Sequence, residues 1–244
     1  MQFAILTSAA ALALVGSASA AMSSLQFTVS STSAGSAAWS STGTATGTAG
    51  QYQFAGDQRY VGFNASFDLT CNDTSVLNRG LIGGSFGLTN NTSSLQTFTI
   101  DIYLPTVAQG TSGLAGGSVG GLLTADGDGG IFSTAGTSAW SYFVRAAGSQ
   151  TNTTIASLIN SPYSVTATPF GIASIPGQSF GAPIPSMPTV GIGDAMGLHL
   201  VFQLGAGDHV DFGTSFVLQA VPGPGTGAML GIAALLGKGR RRRA

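Results

Sequence analysis

Apolar and polar residues alternate along several segments of this chain. A period of two places one side of a β-strand in a core and the other side in water. The third of these segments ends at Pro105, which cannot continue a central strand. Three segments show the pattern most clearly, with the inward residues Leu25, Phe27 and Val29; Phe63, Ala65, Phe67 and Leu69; and Phe98, Ile100, Ile102 and Leu104.

Two further alternating segments lie close together, over 198–204 and 210–218, and Gly205-Ala206-Gly207-Asp208 stands between them. A Gly-rich connection between two such segments predicts a β-hairpin. Segments 106–130 and 160–194 are rich in Gly, Pro and Ser with little periodicity, so we expect long loops there. The sequence predicts an all-β fold: one antiparallel, jelly-roll-like β-sandwich over residues 21–221 with Gly/Ser/Pro-rich loops. A division into two small domains within 106–130 is the alternative.

The first 20 residues have the pattern of a signal peptide. Phe3 to Val15 form an apolar run that is too short to span a bilayer. Ala18 and Ala20 follow it in the A-x-A arrangement that signal peptidase cleaves. The composition changes abruptly to Ser, Thr and Gly after Ala20, which favours a cleaved signal peptide over the alternative of a buried helix.

The last residues, 222–244, fall into three parts. Pro222-Gly223-Pro224 cannot continue a strand and ends the folded domain. The apolar stretch 226–237 predicts a short helix, marginal in length for crossing a membrane. A basic cluster then marks the cytoplasmic side of a membrane. The cluster consists of Lys238, Arg240, Arg241, Arg242 and Arg243.

This three-part tail resembles the sorting signal of bacterial PEP-CTERM proteins, which combines a Pro-Glu-Pro-like motif, a short transmembrane helix and an Arg-rich end. Pro222 and Pro224 match the motif, and Gly223 takes the place of its Glu. The resemblance covers only the tail. It implies general secretion, transient membrane contact through the helix, and cleavage near the prolines by an exosortase-type membrane protease. It also implies delivery to a cell surface or matrix associated with exopolysaccharide and biofilm. An unprocessed membrane anchor is the alternative.

The charge distribution argues against nucleic acid as a partner. Charged residues make up 7% of the chain, and Glu is absent. Outside the tail only Arg59, Arg79 and Arg145 oppose nine Asp, whereas phosphate binding needs a basic surface. Cys71 is the only cysteine, so we expect a small buried apolar side chain. The sequence predicts no cofactor.

Two Gly-x-Ser-x-Gly motifs, around Ser85 and Ser179, are the only candidates for nucleophilic catalysis. That motif requires a turn from a strand into a helix, and no helix is predicted after either serine. The sequence therefore predicts no catalytic residue. A secreted serine hydrolase, with His209 and Asp194 or Asp208 as partners, stays as the less favoured alternative.

The candidate ligands for a metal ion are few. His199 is predicted to point outward from its strand into solvent. Asp208, His209 and Asp211 crowd one turn and strand start, but they make an incomplete set for a transition metal, and no such site is predicted. Asp126 and Asp128 lie in a Gly-rich turn and are candidate calcium ligands, with a plain Gly-Asp turn as the alternative.

Exposed aromatic residues would suit a polysaccharide partner. Tyr103 falls in the outward register of its strand, and Tyr103 and Trp39 are candidate glycan contacts. Trp140 and Tyr142 alternate with Val144, and we expect them to be packing residues. The sequence predicts a non-enzymatic exported surface or matrix protein, with an adhesin-like carbohydrate-binding module as the alternative.

Overall fold

The computed structural model describes residues 24–221, and among them it contains sixteen strands and one short helix. The elements are β1 (Ser24–Ser31), β2 (Gly35–Thr42), β3 (Thr44–Ala45), β4 (Gln51–Arg59), β5 (Phe63–Asn72), α1 (Thr74–Leu77), β6 (Arg79–Asn90), β7 (Gln96–Pro105), β8 (Gln109–Thr124), β9 (Gly130–Thr134), β10 (Ser138–Arg145), β11 (Asn152–Asn160), β12 (Ser164–Ala167), β13 (Ile172–Phe180), β14 (Met187–Ile192), β15 (Ala195–Leu204) and β16 (His209–Val221).

Both predicted sorting segments lie outside the described residues. These are the signal peptide over 1–20, with Ala18 and Ala20, and the tail over 222–244, with its proline motif, its predicted apolar helix and its arginines. Within residues 24–221 the structure contains no helix with the length and apolar character needed to span a bilayer.

The strands form two antiparallel sheets. Sheet A has the order β11-β10-β15-β7-β1-β2, with β9 paired to β15 and β12 paired to β9. Sheet B has the order β13-β8-β16-β6-β5-β4-β3, with β14 paired to β8. The prediction of an all-β fold built from antiparallel strands is confirmed.

The inner faces of the two sheets share one hydrophobic core. The inward residues of the three alternating segments are buried, as their pattern predicts. Rings from the two sheets meet directly. The centroids of Phe27 on β1 and Phe67 on β5 are 4.5 Å apart, and those of Tyr142 on β10 and Phe216 on β16 are 5.1 Å apart. Aromatic contacts of this kind add to the stabilisation from apolar burial.

The prediction of long loops over 106–130 and 160–194 is wrong. The 16-residue strand β8 lies in the first segment, and β12, β13 and β14 lie in the second. The glycines of β8 make room for rings from neighbouring strands. A Cβ atom on Gly117 would lie 2.8 Å from Phe180 Cε1, and one on Gly121 would lie 2.9 Å from Phe212 Cδ1. Because neighbouring strands supply the apolar side chains, β8 itself shows no alternation.

The prediction of a terminal hairpin is also wrong. The two alternating segments are β15 and β16, but β15 pairs within sheet A and β16 pairs within sheet B. The connection from 205 to 208 therefore carries the chain from one sheet to the other. Both strands bury their apolar side chains in the same core from opposite sides, which explains why their patterns match.

Two predictions about packing are confirmed. Cys71 is buried, and burial raises the pKa of its thiol far above the usual value. Trp140, Tyr142 and Val144 are buried on the inner face of β10. The Tyr142 hydroxyl donates a hydrogen bond of 2.7 Å to the Ser118 carbonyl oxygen of β8 in sheet B.

Candidate functional site

The outer face of sheet A carries a groove of ≈ 540 Å³. It crosses β1, β7 and β10 and reaches the start of β11. This volume lies within the usual range for small-molecule sites. Its lining is Gln26, Thr28, Asp101, Tyr103, Pro105, Phe143, Arg145 and Asn152.

A glycine at the centre of the sheet allows two aromatic rings to approach each other in this groove. The pairing register places Phe143, Gly197 and Tyr103 side by side on β10, β15 and β7. A Cβ atom on Gly197 would lie 2.4 Å from Phe143 Cζ, so only glycine leaves space for that ring. The ring centroids of Phe143 and Tyr103 are 6.3 Å apart.

Arg145 on β10 fixes the Tyr103 ring, although β15 lies between β10 and β7. Its Nη1 donates a hydrogen bond of 2.9 Å to the Tyr103 hydroxyl, and its Nε donates one of 3.1 Å to Asn152 Oδ1. Arg145 Cζ lies 4.7 Å from the ring centroid, which is a cation–π distance. Within residues 24–221, Arg145 makes no salt bridge with a carboxylate. The groove therefore contains a fixed positive charge with unused hydrogen-bond donors.

A histidine–aspartate pair lies on the same outer face, where His199 of β15 is directly opposite Asp101 of β7. His199 Nδ1 and Asp101 Oδ1 are 2.7 Å apart, and both side chains are partly exposed. The hydrogen bond with Asp101 raises the pKa of His199 above 6.5, against an opposing effect of burial. The pair therefore stabilises the fold most below pH 6.5 and loses this contribution as the pH rises through the raised pKa. His199 points outward as predicted, but it is paired and not simply solvated.

The two candidate glycan contacts are not brought together. Tyr103 lies on the outer face, half-buried, where its register places it. Trp39 lies on the inner face of β2, where its ring stacks on Phe27 with centroids 5.1 Å apart and planes 6° apart. Its indole nitrogen is buried with no hydrogen-bond partner among the described residues. The observed role of Trp39 is packing at the end of the core.

Asp101 and Arg145 were not predicted as site residues, although the sequence contains a signal for both. Asp101 alternates with the inward Ile100 and Ile102, and Arg145 follows the inward Val144. Both are therefore expected on the outer face that carries Tyr103. The pattern within a single strand does not predict the order of β7 and β10 in the sheet. This order brings Asp101 and Arg145 to one groove.

A second polar cluster lies on the outer face of sheet B, beside a smaller pocket of ≈ 250 Å³. His209 Nε2 is 2.9 Å from Asp211 Oδ2, and His209 Nδ1 is 2.8 Å from Thr89 Oγ1. Asp208 is buried away from this cluster. Thr89 was not predicted as a member of this cluster, because it lies on β6, 120 residues before His209 in the chain.

Neither Gly-x-Ser-x-Gly motif forms the turn that a nucleophilic serine needs. Ser85 lies within β6 and Ser179 within β13. Neither serine is hydrogen-bonded to a histidine in residues 24–221. The hydroxyl groups of the two motifs therefore give no support to the hydrolase alternative.

The candidate calcium ligands lie in the turn before β9. Asp126 Oδ1 accepts a hydrogen bond of 3.2 Å from the Asp128 backbone nitrogen. A hydrogen bond between the two carboxyl groups lowers the pKa of Asp126 and raises that of Asp128. No group of three or more His, Cys or Asp side chains is arranged to hold a metal ion in the part of the chain that the structure describes. Calcium binding by this pair stays a prediction.

Neither a protein-family model nor a curated protein sequence matches this chain. Among solved structures, one described as "Structure of infectious bursal disease virus Gx strain" is similar at 10% identity and a TM-score of 0.23. The match covers 82% of this chain and spans 61% of the length of that one.

Proposed function

We propose that this chain is a non-enzymatic exported surface or matrix protein that binds polysaccharide in the groove on the outer face of sheet A. The observation that supports the proposal is the groove around Tyr103. It combines an aromatic side chain with hydrogen-bonding groups on a rigid sheet. We further propose that the two sheets form a jelly-roll-like sandwich.

The chemistry of the groove suits a sugar polymer. A sugar ring presents an apolar face of C–H groups that packs on an aromatic ring, and hydroxyl groups around its edge that both donate and accept hydrogen bonds. In the groove, the Tyr103 ring can pack on the C–H face of a sugar. The donors of Arg145, the acceptors of Asp101 and the amides of Gln26 and Asn152 can form hydrogen bonds with its hydroxyl groups. These groups are placed on strands, so ordering them on binding costs little entropy.

A binding screen against immobilised glycans tests the proposed function. We expect the purified protein to bind one class of polysaccharide or its oligosaccharides at millimolar concentration or below. Exopolysaccharide from the cells that make the protein should be among the probes. The absence of binding to every probe at millimolar concentration would contradict the proposal. Binding to isolated oligosaccharides would favour the adhesin-like module, and binding to the matrix polymer alone would favour a structural matrix role.

Export and processing form a separate part of the proposal, supported by the order of sequence features at the two ends. We expect the mature protein to begin after Ala20 and to end between Val221 and Gly225, because only that segment of the tail would be accessible just outside the membrane. The Arg240–Arg243 cluster would then be absent from it.

Intact-mass measurement of protein recovered from the cell surface checks both ends together. Replacing Arg240–Arg243 by neutral residues is expected to release a longer, unprocessed protein. A wild-type surface protein that still ends at Ala244 would show that the tail is a membrane anchor.

A further inference from the structure

The edge strand β2 differs from the other edges of the two sheets. An exposed edge strand presents unpaired N–H and C=O groups, and proteins protect such edges with charges, prolines, bulges or short strands. The β2 strand has none of these features. Its eight residues pair with β1 in one unbroken register from Thr42 to Gly35, and no charged residue occurs from 24 to 56.

The remaining edges in residues 24–221 are protected or short, and β3 and β12 have only two and four residues. The β13 edge has Pro176 and a bulge, and the β14 edge has Pro188 and a bulge. The open part of β4 carries Asp57 and Arg59. On β11 the register shifts opposite Tyr142 and Phe143. The backbone nitrogen of Ile159 donates a hydrogen bond of 2.8 Å to Gln178 Oε1. The lack of protection on β2 is therefore specific to this edge.

We propose that β2 pairs antiparallel with β2 of a second copy of this chain. A strand that pairs with itself around a twofold axis is self-complementary in its backbone hydrogen bonds. The two copies bring no like charges together, because the strand is neutral. Side chains of the two copies keep to matching faces only if the axis passes beside a residue and not between two residues. In the middle of β2 that residue is Ala38 or Trp39. The result is one sheet that continues across the dimer.

This pairing would join the candidate binding grooves of the two copies. A shallower groove of ≈ 350 Å³ runs along β2 and is lined by Gln26, Thr28, Ala38 and Ser40, among others. It shares Gln26 and Thr28 with the groove around Tyr103, so the two grooves together extend from β11 to the β2 edge. The dimer would present one continuous track to a polymer. The pairing itself does not depend on the proposed function.

Light scattering coupled to size-exclusion chromatography, without any glycan, tests the pairing. The full chain is expressed in its own cells and purified in the processed form that they yield. We expect wild type to have the mass of a dimer at micromolar concentration and to dissociate on dilution. The double substitution Ser36→Lys/Ser40→Lys places lysines on the exposed side of β2. With the axis beside Ala38 each lysine lies directly opposite a lysine of the other copy, and with the axis beside Trp39 the two substituted Ser40 positions are diagonal neighbours. The double substitution is expected to give a monomer with an unchanged circular dichroism spectrum.

The control is Thr153→Lys/Ser157→Lys, which places two lysines on exposed positions of the edge strand β11, four residues apart in sequence as on β2. We expect this variant to remain a dimer. A monomeric wild type at 100-fold higher concentration would overturn the proposal, as would a dimer that survives the lysines on β2. Because no glycan is present, neither result bears on polysaccharide binding.

Discussion

Replacing Asp208 by alanine is expected to lower the free energy of unfolding by about 3 kcal/mol. Asp208 is buried in the connection that carries the chain from β15 to β16. Its Oδ2 accepts a hydrogen bond of 2.9 Å from the Ile131 nitrogen, and its Oδ1 accepts one of 3.4 Å from the Asp126 nitrogen. Alanine leaves both partly buried N–H groups without their partner, and an unsatisfied donor costs more than one hydrogen bond contributes on average.

Chemical denaturation of Asp208→Ala and Asp208→Asn separates hydrogen bonding from charge. Asparagine keeps an acceptor for the Ile131 nitrogen, so the free energy of unfolding of Asp208→Asn is expected to fall by about 1 kcal/mol or less. Burial raises the pKa of Asp208 above 3.8. Ionisation of this carboxyl group therefore costs stability as the pH rises through the raised pKa. The difference in free energy of unfolding between wild type and Asp208→Asn should therefore decrease as the pH rises over that range.

Asp57→Ala, on the exposed part of β4, serves as the control and should change stability little. An Asp208→Ala variant as stable as Asp57→Ala would contradict the role of Asp208 in this connection.

Replacing Tyr103 by alanine is expected to weaken glycan binding at least roughly tenfold, since truncating an aromatic anchor at the centre of a binding site costs upwards of about 1.4 kcal/mol. The substitution removes the ring and the acceptor that holds Arg145 Nη1. Tyr103→Phe keeps the ring and removes the hydroxyl, so its affinity should fall less. Isothermal titration with the glycan found in the screen measures both.

The exposed Phe170 provides a matched control for the loss of an aromatic ring. Its side chain is 82% exposed, and it lies in the connection between β12 and β13, outside the groove. Phe170→Ala is expected to bind like wild type. Equal affinities for Tyr103→Ala and wild type would remove Tyr103 from the binding site.

Alternation predicted which side chains are buried, and it failed to predict which strands pair. In β7, the burial of Ile100 and Ile102 and the outward direction of Tyr103 follow from the sequence, because a period of two decides the face. In β15 and β16 the faces are also correct, yet the strands belong to different sheets. Side-chain periodicity contains no information on the sheet that a strand joins.

The Gly-rich strand β8 shows a second physical limit of the sequence pattern. Its backbone hydrogen bonds are as regular as those of apolar strands, since pairing depends on N–H and C=O groups that every glycine has. The side chains that fill the space above Gly117 and Gly121 come from Phe180 and Phe212 on other strands. A local pattern therefore favours a loop where the structure has the longest strand.

Tyr103 is the one residue of the candidate site that was predicted from the sequence. The arrangement of the other residues around it was not predicted. The outward register of Tyr103 follows from its own strand. The approach of Phe143 depends on Gly197, and the position of Arg145 depends on β10 being two strands from β7. Trp39 illustrates the opposite case, since an aromatic residue on an edge strand can face either way, and stacking on Phe27 decides it.

A solution NMR titration of the isotope-labelled protein with the bound oligosaccharide locates the ligand on the protein surface. We expect chemical-shift changes that saturate and centre on Gln26, Tyr103 and Arg145, on the outer face of sheet A. Amides around His209, on the outer face of sheet B, should not change. Shift changes centred on sheet B, or none on sheet A at saturating ligand, would contradict the claim that this groove binds polysaccharide.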